Sequence, residues 1–198
     1  MQISSELKDA LAEIVNIGFG KAASSLSILI GQRILLEAPE AELYPFSEID
    51  IVMSKLVRQN AMVVHQAFNG RIEGDVLLIL DQDSSAMLVD LLSGGNGTIR
   101  RLTVSDREAL LEIGNILLNA YIGSFGNLLR FKIGFSLPRL ILDPVSVTIA
   151  SLVKQDDYYS LVVRTEFHVM GSSVTGYVAL ILGTDSLNEM LKVLKEEL

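Results

Sequence analysis

Apolar residues recur at helical spacing in two long stretches of this chain, at about residues 4–29 and 105–128. In the first, Leu7, Ala10, Leu11, Ile14, Ile17 and Ala22 supply the apolar face, and in the second Ala109, Leu110, Ile113, Ile116 and Leu117 do so. Between and after these helices the period shortens. Strands are expected at 33–38 and 132–137, each followed by a short helix (47–56 and 144–153), a two-stranded hairpin and a closing helix (84–92 and 185–197). The turn-forming stretch SGGNGT at 93–98 is the natural joint between the two series.

The two series echo each other residue by residue. At an offset of 99, Leu11, Ile17, Ser25 and Leu29 are matched by Leu110, Ile116, Ser124 and Leu128, and Val63, Val64 and Phe68 by Val162, Val163 and Phe167. From Gly74 and Leu78-Ile79-Leu80, matched by Gly176 and Leu180-Ile181-Leu182, the offset is 102, so the second series has three extra residues around Gly171, Ser172 and Ser173, read as a hairpin turn. The expected fold is α+β, an α/β sandwich: an internally duplicated unit, with repeats 4–99 and 103–198 in a single domain. A pseudo-twofold axis, an antiparallel sheet and two long helices complete the picture, because a half with three strands would leave a bare sheet edge.

Composition narrows the function. With 198 residues, 49% of them hydrophobic, the chain can bury a large core. Mean hydropathy is positive, yet no uninterrupted apolar run approaches the eighteen or so residues of a membrane span, and the N-terminal residues do not read as a secretory leader. The chain has no cysteine, which excludes disulfides and thiolate chemistry and fits a reducing cytoplasm. A net charge of -8 argues against nucleic acid or anionic lipid as the main partner and favours a partner with a basic face. His65 and His168 are the two histidines, both read as structural, which leaves little for histidine metal sites or triads.

One polar pattern stands out. Glu13, Asn16 and Pro39 recur 99 positions on as Glu112, Asn115 and Pro138. At about 100° per residue, Asp9, Glu13 and Asn16 fall within about 60° of one another on the helix, and Glu108, Glu112, Asn115 and Asn119 make the same stripe on the second. Two carboxylates and an amide can orient a water, accept from a cation and hydrogen-bond an incoming group. A single such triplet is ordinary on a solvated helix face, but solvated positions drift, and here the spacing repeats together with its proline. Asn is also a middling helix former, so each mid-helix copy costs a few tenths of a kcal/mol.

The prolines are expected at the ends of the returning strands, where a missing N–H is tolerated and where they shape the surface beside the stripe. Gly18, Gly20, Gly114, Gly123 and Gly126 are costly inside helices, and close approach of the two helices would account for some of them. The acids are not at metal-ligand spacing, and no phosphate-binding glycine loop, nucleophile elbow or dinucleotide fingerprint is present.

The spacing of acid or serine, Glu, Asn and Pro resembles the phosphatase motif of the CheC/CheX/FliY family, whose members dephosphorylate the chemotaxis response regulator CheY. Asp9, Glu13, Asn16 and Pro39 match it at every position, and Glu112, Asn115 and Pro138 match again, while Glu108 stands where the family usually has Asp or Ser. Two copies on a bare duplicated domain look most like CheC, and the length leaves no room for the further domain of FliY. Either Glu108 folds back in a capping box formed by residues 105–108, or Thr103 caps the helix and Glu108 stays free on the stripe. The resemblance implies an aspartyl-phosphate substrate on CheY, whose Mg²⁺ and lysine belong to the regulator, with no cofactor or metal of the chain's own. It implies that Asn16 and Asn115 hold the attacking water and that Glu13 and Glu112 pair with the lysine, with Asp9, Glu108, Pro39 and Pro138 supporting the motif. The receptor deamidase CheD is a further implied partner, and a non-catalytic adaptor for CheD or for the flagellar switch is the alternative function. A monomer suffices for the two-fold architecture.

Overall fold

The computed structural model describes residues 5–57, 61–153, 158–169 and 171–197. The two helical patterns become α1 (Ser5–Ile30) and α4 (Val104–Leu128). The remaining elements are β1 (Ile34–Pro45), α2 (Phe46–Leu56), β2 (Ala61–Gly70), β3 (Gly74–Asp81) and α3 (Gln82–Leu92) in the first half. In the second half they are β4 (Ile133–Phe135), β5 (Arg139–Ile141), α5 (Val145–Leu152), β6 (Tyr158–Val169), β7 (Ser172–Gly183) and α6 (Thr184–Glu197).

All strand pairs run antiparallel in one seven-stranded sheet, ordered β1-β6-β7-β3-β2-β4, with β5 beside β4 on the outer edge of β2. Read from either edge, the order is the same once the strands of the two halves are exchanged. The central register obeys the same exchange: Asp75 faces Ile181 as Tyr177 faces Ile79, and Val76 faces Leu180 as Val178 faces Leu78. Leu77 faces Ala179 at the midpoint, where a two-fold axis would pass. Each half lends its first strand to the hairpin of the other, so neither half completes a sheet by itself.

Alternation along the strands explains the layers. Leu161, Val163, Phe167 and Val169 of β6 turn to one face, where they join Val76, Leu78 and Leu80 under α1, α3, α4 and α6. Val162 turns to the other face with Leu77, Ile79, Ala179 and Ile181, beneath Ile49 and Met53 of α2 and Ile149 of α5. Over Asp9–Ile30, α1 is long and apolar enough to span a membrane by length and composition. Its buried side chains Leu11, Ile14, Val15, Phe19, Ala22 and Leu26 belong instead to the core shared with α4 and the sheet.

Several expectations are corrected. Ile17 is 39% exposed, because it lies four residues after Glu13, on the polar stripe rather than on the core side; Ile116 is half-buried, and the Leu7 side chain lies outside the described residues. The first returning strand extends to Pro45, so Pro39 sits inside β1 and not at its end. Its register against β6 slips between Glu37 and Glu40, where two residues, Ala38 and Pro39, face one. The second returning strand breaks into β4 and β5, and residues 136–138 there face two residues of β2, again one extra. Proline has no N–H for the ladder, and both copies yield around it. Ser136 pins the break: its Oγ accepts from the Ala67 N–H at 2.9 Å, and its own N–H donates to the Ala67 carbonyl at 2.9 Å.

The glycines divide by cause. A Cβ on Gly18 would stand 3.1 Å from the Tyr121 Cα, so α1 and α4 do approach closely there, and Phe19 stacks on Tyr121 with ring centroids 5.6 Å apart. Gly114 serves a different contact, since its Cβ would fall 2.6 Å from Cγ1 of Val64 in β2. Gly126 abuts Phe131 and Ile133, whereas Gly20 and Gly123 have open space around them.

The joint at 93–98 is a built turn. The Asp90 carboxylate accepts from the N–H groups of Gly97 at 3.0 Å and Thr98 at 2.8 Å, with Gly94 and Gly97 at φ values of 84° and 80° that suit glycine.

Candidate functional site

The stripe is carried by the two neighbouring helices of one layer. On α1, Asp9, Glu13 and Asn16 are all exposed. On α4, Glu108 and Glu112 are exposed and Asn115 is half-buried. Residues three and four apart on a helix share a face, which places each Glu one turn before its Asn. Among the described residues, Asp9, Glu13, Asn16, Glu108 and Glu112 have no hydrogen-bonding or ion-pair partner. Their polar atoms are therefore free to meet an incoming group. Asn115 differs, because its Oδ1 accepts a 2.9 Å hydrogen bond from Nδ2 of Asn119.

The start of α4 decides between the two caps. Thr103 is the N-cap: its Oγ1 accepts from the Asp106 N–H, and the Asp106 carboxylate accepts from the Thr103 N–H at 2.7 Å. Arg100 adds a two-pronged contact to Asp106, from Nη1 at 2.5 Å and Nη2 at 2.9 Å. These donors, the guanidinium first, hold the Asp106 carboxyl well below the usual carboxylate range. Glu108 takes no part in the cap and stays on the stripe.

The prolines belong to the returning strands, Pro39 in the bulge of β1 and Pro138 half-buried just before β5. His65 is held by Asp75, Nε2 to Oδ1 at 2.7 Å, in keeping with a structural role. His168 stands 3.5 Å from a Glu37 oxygen and 3.8 Å from a Glu166 oxygen, and these three groups lie within 4.8 Å of one another. That grouping was invisible in the spacing, because it joins β1 to β6 across the register. It lies on the face of the sheet opposite α1 and α4, away from the stripe.

Comparison with known proteins supports the family resemblance. The model of the CheC-like family matches residues 6–43, the stretch that carries Asp9, Glu13, Asn16 and Pro39. The chain is 28% identical over 137 residues to the flagellar motor switch phosphatase FliY of Bacillus subtilis (strain 168), across 68% of this chain and 35% of that protein. It is 27% identical over 152 residues to the CheY-P phosphatase CheC of the same organism, across 75% of this chain and 72% of that protein. The chain thus spans only 35% of the length of that FliY, and these identities do not set CheC apart from FliY. The X-ray crystal structure of Thermotoga maritima FliY superposes with a TM-score of 0.81 at 22% identity, covering 100% of both chains. The FliM middle domain from H. pylori superposes with a TM-score of 0.68 at 12% identity, covering 96% of this chain and 99% of that one. The family match across the first copy of the motif, the two relatives and the shared fold all point the same way: the chain is similar to the CheC-like family.

Proposed function

We propose that this chain hydrolyses the aspartyl phosphate of a CheY-type response regulator, using Glu13 with Asn16 on α1 and Glu112 with Asn115 on α4. One observation carries the reading: on both helices an exposed carboxylate, unpaired among the described residues, stands one turn before an amide, exposed on α1 and half-buried on α4. Each Glu accepts from the regulator's lysine and fixes the docking register. Each Asn then enters the regulator's active site and orients a water in line with phosphorus. The water oxygen bonds to phosphorus as the bond to the aspartate oxygen breaks, leaving a free carboxylate on the regulator and inorganic phosphate. The Mg²⁺ that steadies the phosphoryl oxygens is part of the substrate, and the chain brings no metal or cofactor.

This is catalysis by positioning, with no covalent intermediate and no base of unusual pKa. Acyl phosphates hydrolyse unaided, so the gain required is modest. A hundredfold acceleration corresponds to about 2.7 kcal/mol, within reach of an oriented amide and a docked partner. The exposed Ile17 and half-buried Ile116 place an apolar side chain beside each stripe, which suits a docking surface. A cytoplasmic location belongs to the same reading.

Separate kinetics for the two roles test it. Asn16→Ala, made in an Asn115→Ala background, is expected to abolish the remaining kcat, whereas Glu13→Ala in that background is expected chiefly to raise KM for the phosphorylated regulator. Both variants leaving the kinetics untouched would exclude the assignment.

The likeness to the FliM middle domain favours a second reading, an adaptor that binds a flagellar-switch component or CheD without useful turnover. Stable capture of such a partner by the Asn16→Ala, Asn115→Ala double variant, together with absent turnover in the unmodified chain, would select it.

A further inference from the structure

We infer that Asn119 is a positioning residue for Asn115, and that it makes the second site the pre-organised one of the pair. The inference rests on the phosphatase reading above and adds an inequality between the sites that the motif does not contain. The terminal torsion of an asparagine is broad and roughly two-fold, so a free amide presents its oxygen and its nitrogen to a given point almost equally. Asn119, one turn further along α4, donates from Nδ2 to Oδ1 of Asn115 at 2.9 Å. That bond distinguishes the two ends of the Asn115 amide and fixes its plane. The oxygen keeps a second lone pair and the nitrogen both hydrogens, so a water can still be held.

Asn16 has no such brace. At the offset of 99 that relates Asn16 to Asn115, Asn119 corresponds to Gly20, which has no side chain to offer. Asn16 is accordingly exposed and, among the described residues, unpartnered, whereas Asn115 and Asn119 are both half-buried.

Asn119 is an expensive choice on structural grounds alone. It weakens the helix relative to alanine, and its Oδ1 is buried without a partner among the described residues. Its side chain lines an open groove of about 600 Å³ between the long helices, beside Lys21 and Ser24 of α1 and Ile116 of α4. A residue kept there for packing would not need an amide. One kept to hold the amide of Asn115 would.

The test isolates each site and moves the brace between them. In an Asn16→Ala background, which reports the second site, Asn119→Ala is expected to lower kcat roughly threefold to tenfold, the gain from fixing one side chain. KM for the phosphorylated regulator should stay in place, and the melting temperature should rise slightly, since alanine relieves the helix cost and the unpartnered Oδ1, so the loss of kcat is not a loss of fold. In an Asn115→Ala background, which reports the first site, Gly20→Asn is expected to raise kcat by a similar factor. A Cβ at Gly20 meets no atom within 4 Å, so the new side chain has space. Gly20→Ala is the control for helix propensity and should not raise kcat.

The side-chain amide signals of Asn115 in an ¹⁵N–¹H spectrum give a readout independent of turnover. They should shift and broaden in Asn119→Ala. Unchanged kcat in Asn119→Ala, unchanged Asn115 signals, or equal gains from Gly20→Ala and Gly20→Asn would each overturn the inference. No turnover from the Asn16→Ala chain while the unmodified chain is active would also overturn it, since the second site would then be idle. No turnover from the unmodified chain would count against the phosphatase reading instead, and the amide signals alone would then decide whether Asn119 braces Asn115.

Discussion

At the scale of single residues, the chain separates acids that hold the structure from acids that are left free. Asp106 belongs to the first kind, buried at 8% exposure and engaged by Arg100 and Thr103. Its carboxyl is held below its ordinary range in the fold, so folding favours the ionised form. That stabilisation is fully present above about pH 4, the range of an unfolded aspartate, and is lost as pH falls through the folded value. The expected outcome is that Asp106→Asn lowers stability at neutral pH and flattens the acid side of the profile below about pH 4. Urea denaturation across that range checks it, and parallel acid losses in both proteins would show that Asp106 is not the sensitive group. Asp9, Glu13, Glu108 and Glu112 are of the second kind, exposed and unpaired among the described residues. The spacing on the two helices was enough to find them. It did not reveal the Asn119 brace, because two amides four residues apart look the same in a sequence whether or not they touch.

At the scale of elements, backbone proximity sets where a side chain is allowed. Gly114 lets α4 settle on β2, and a methyl group there would strike Val64. Gly114→Ala is expected to destabilise the protein by about 1–3 kcal/mol through overpacking. Gly20→Ala, which meets open space, should stabilise by about 0.5–1 kcal/mol. Thermal denaturation of the two variants distinguishes them, and equal shifts would refute the packing argument. The sequence placed the six helices of the described residues near their observed bounds, and for the two long ones helix periodicity did so, because burial on one side imposes a strong 3.6-residue signal. It misjudged Ile17, which occupies the border between the core side and the stripe. The edge strands were harder to read. One extra residue around Pro39 bends β1, and one around Pro138 divides β4 from β5, and the partner strands decide that outcome.

At the scale of the molecule, the sheet is held together by exchange between halves. β1 pairs with β6, β4 and β5 pair with β2, and β3 meets β7 at the centre, which leaves β2 with β3 as the pair internal to the first half. A peptide of residues 1–98 is therefore expected to show no cooperative melting alone and to regain it on mixing with residues 99–198. A cooperative transition in the isolated first half would contradict this. The sequence echo implied a two-fold arrangement, but not which strand crosses to which hairpin. That choice lies in contacts between residues far apart in the chain, such as Ile34 with Val169 and Val63 with Ile141. The same arrangement sets α1 beside α4 on one layer and presents both stripes from it.

The central claim is that these stripes remove phosphate from a response regulator. The most direct measurement is the lifetime of Mg²⁺-loaded, phosphorylated CheY in the presence of this chain, of Asn16→Ala, of Asn115→Ala and of the double variant. The account predicts a shortened lifetime with the unmodified chain, partial shortening with each single variant and the spontaneous lifetime with the double variant. Undiminished acceleration by the double variant, or no acceleration by the unmodified chain with a cognate regulator, would contradict it.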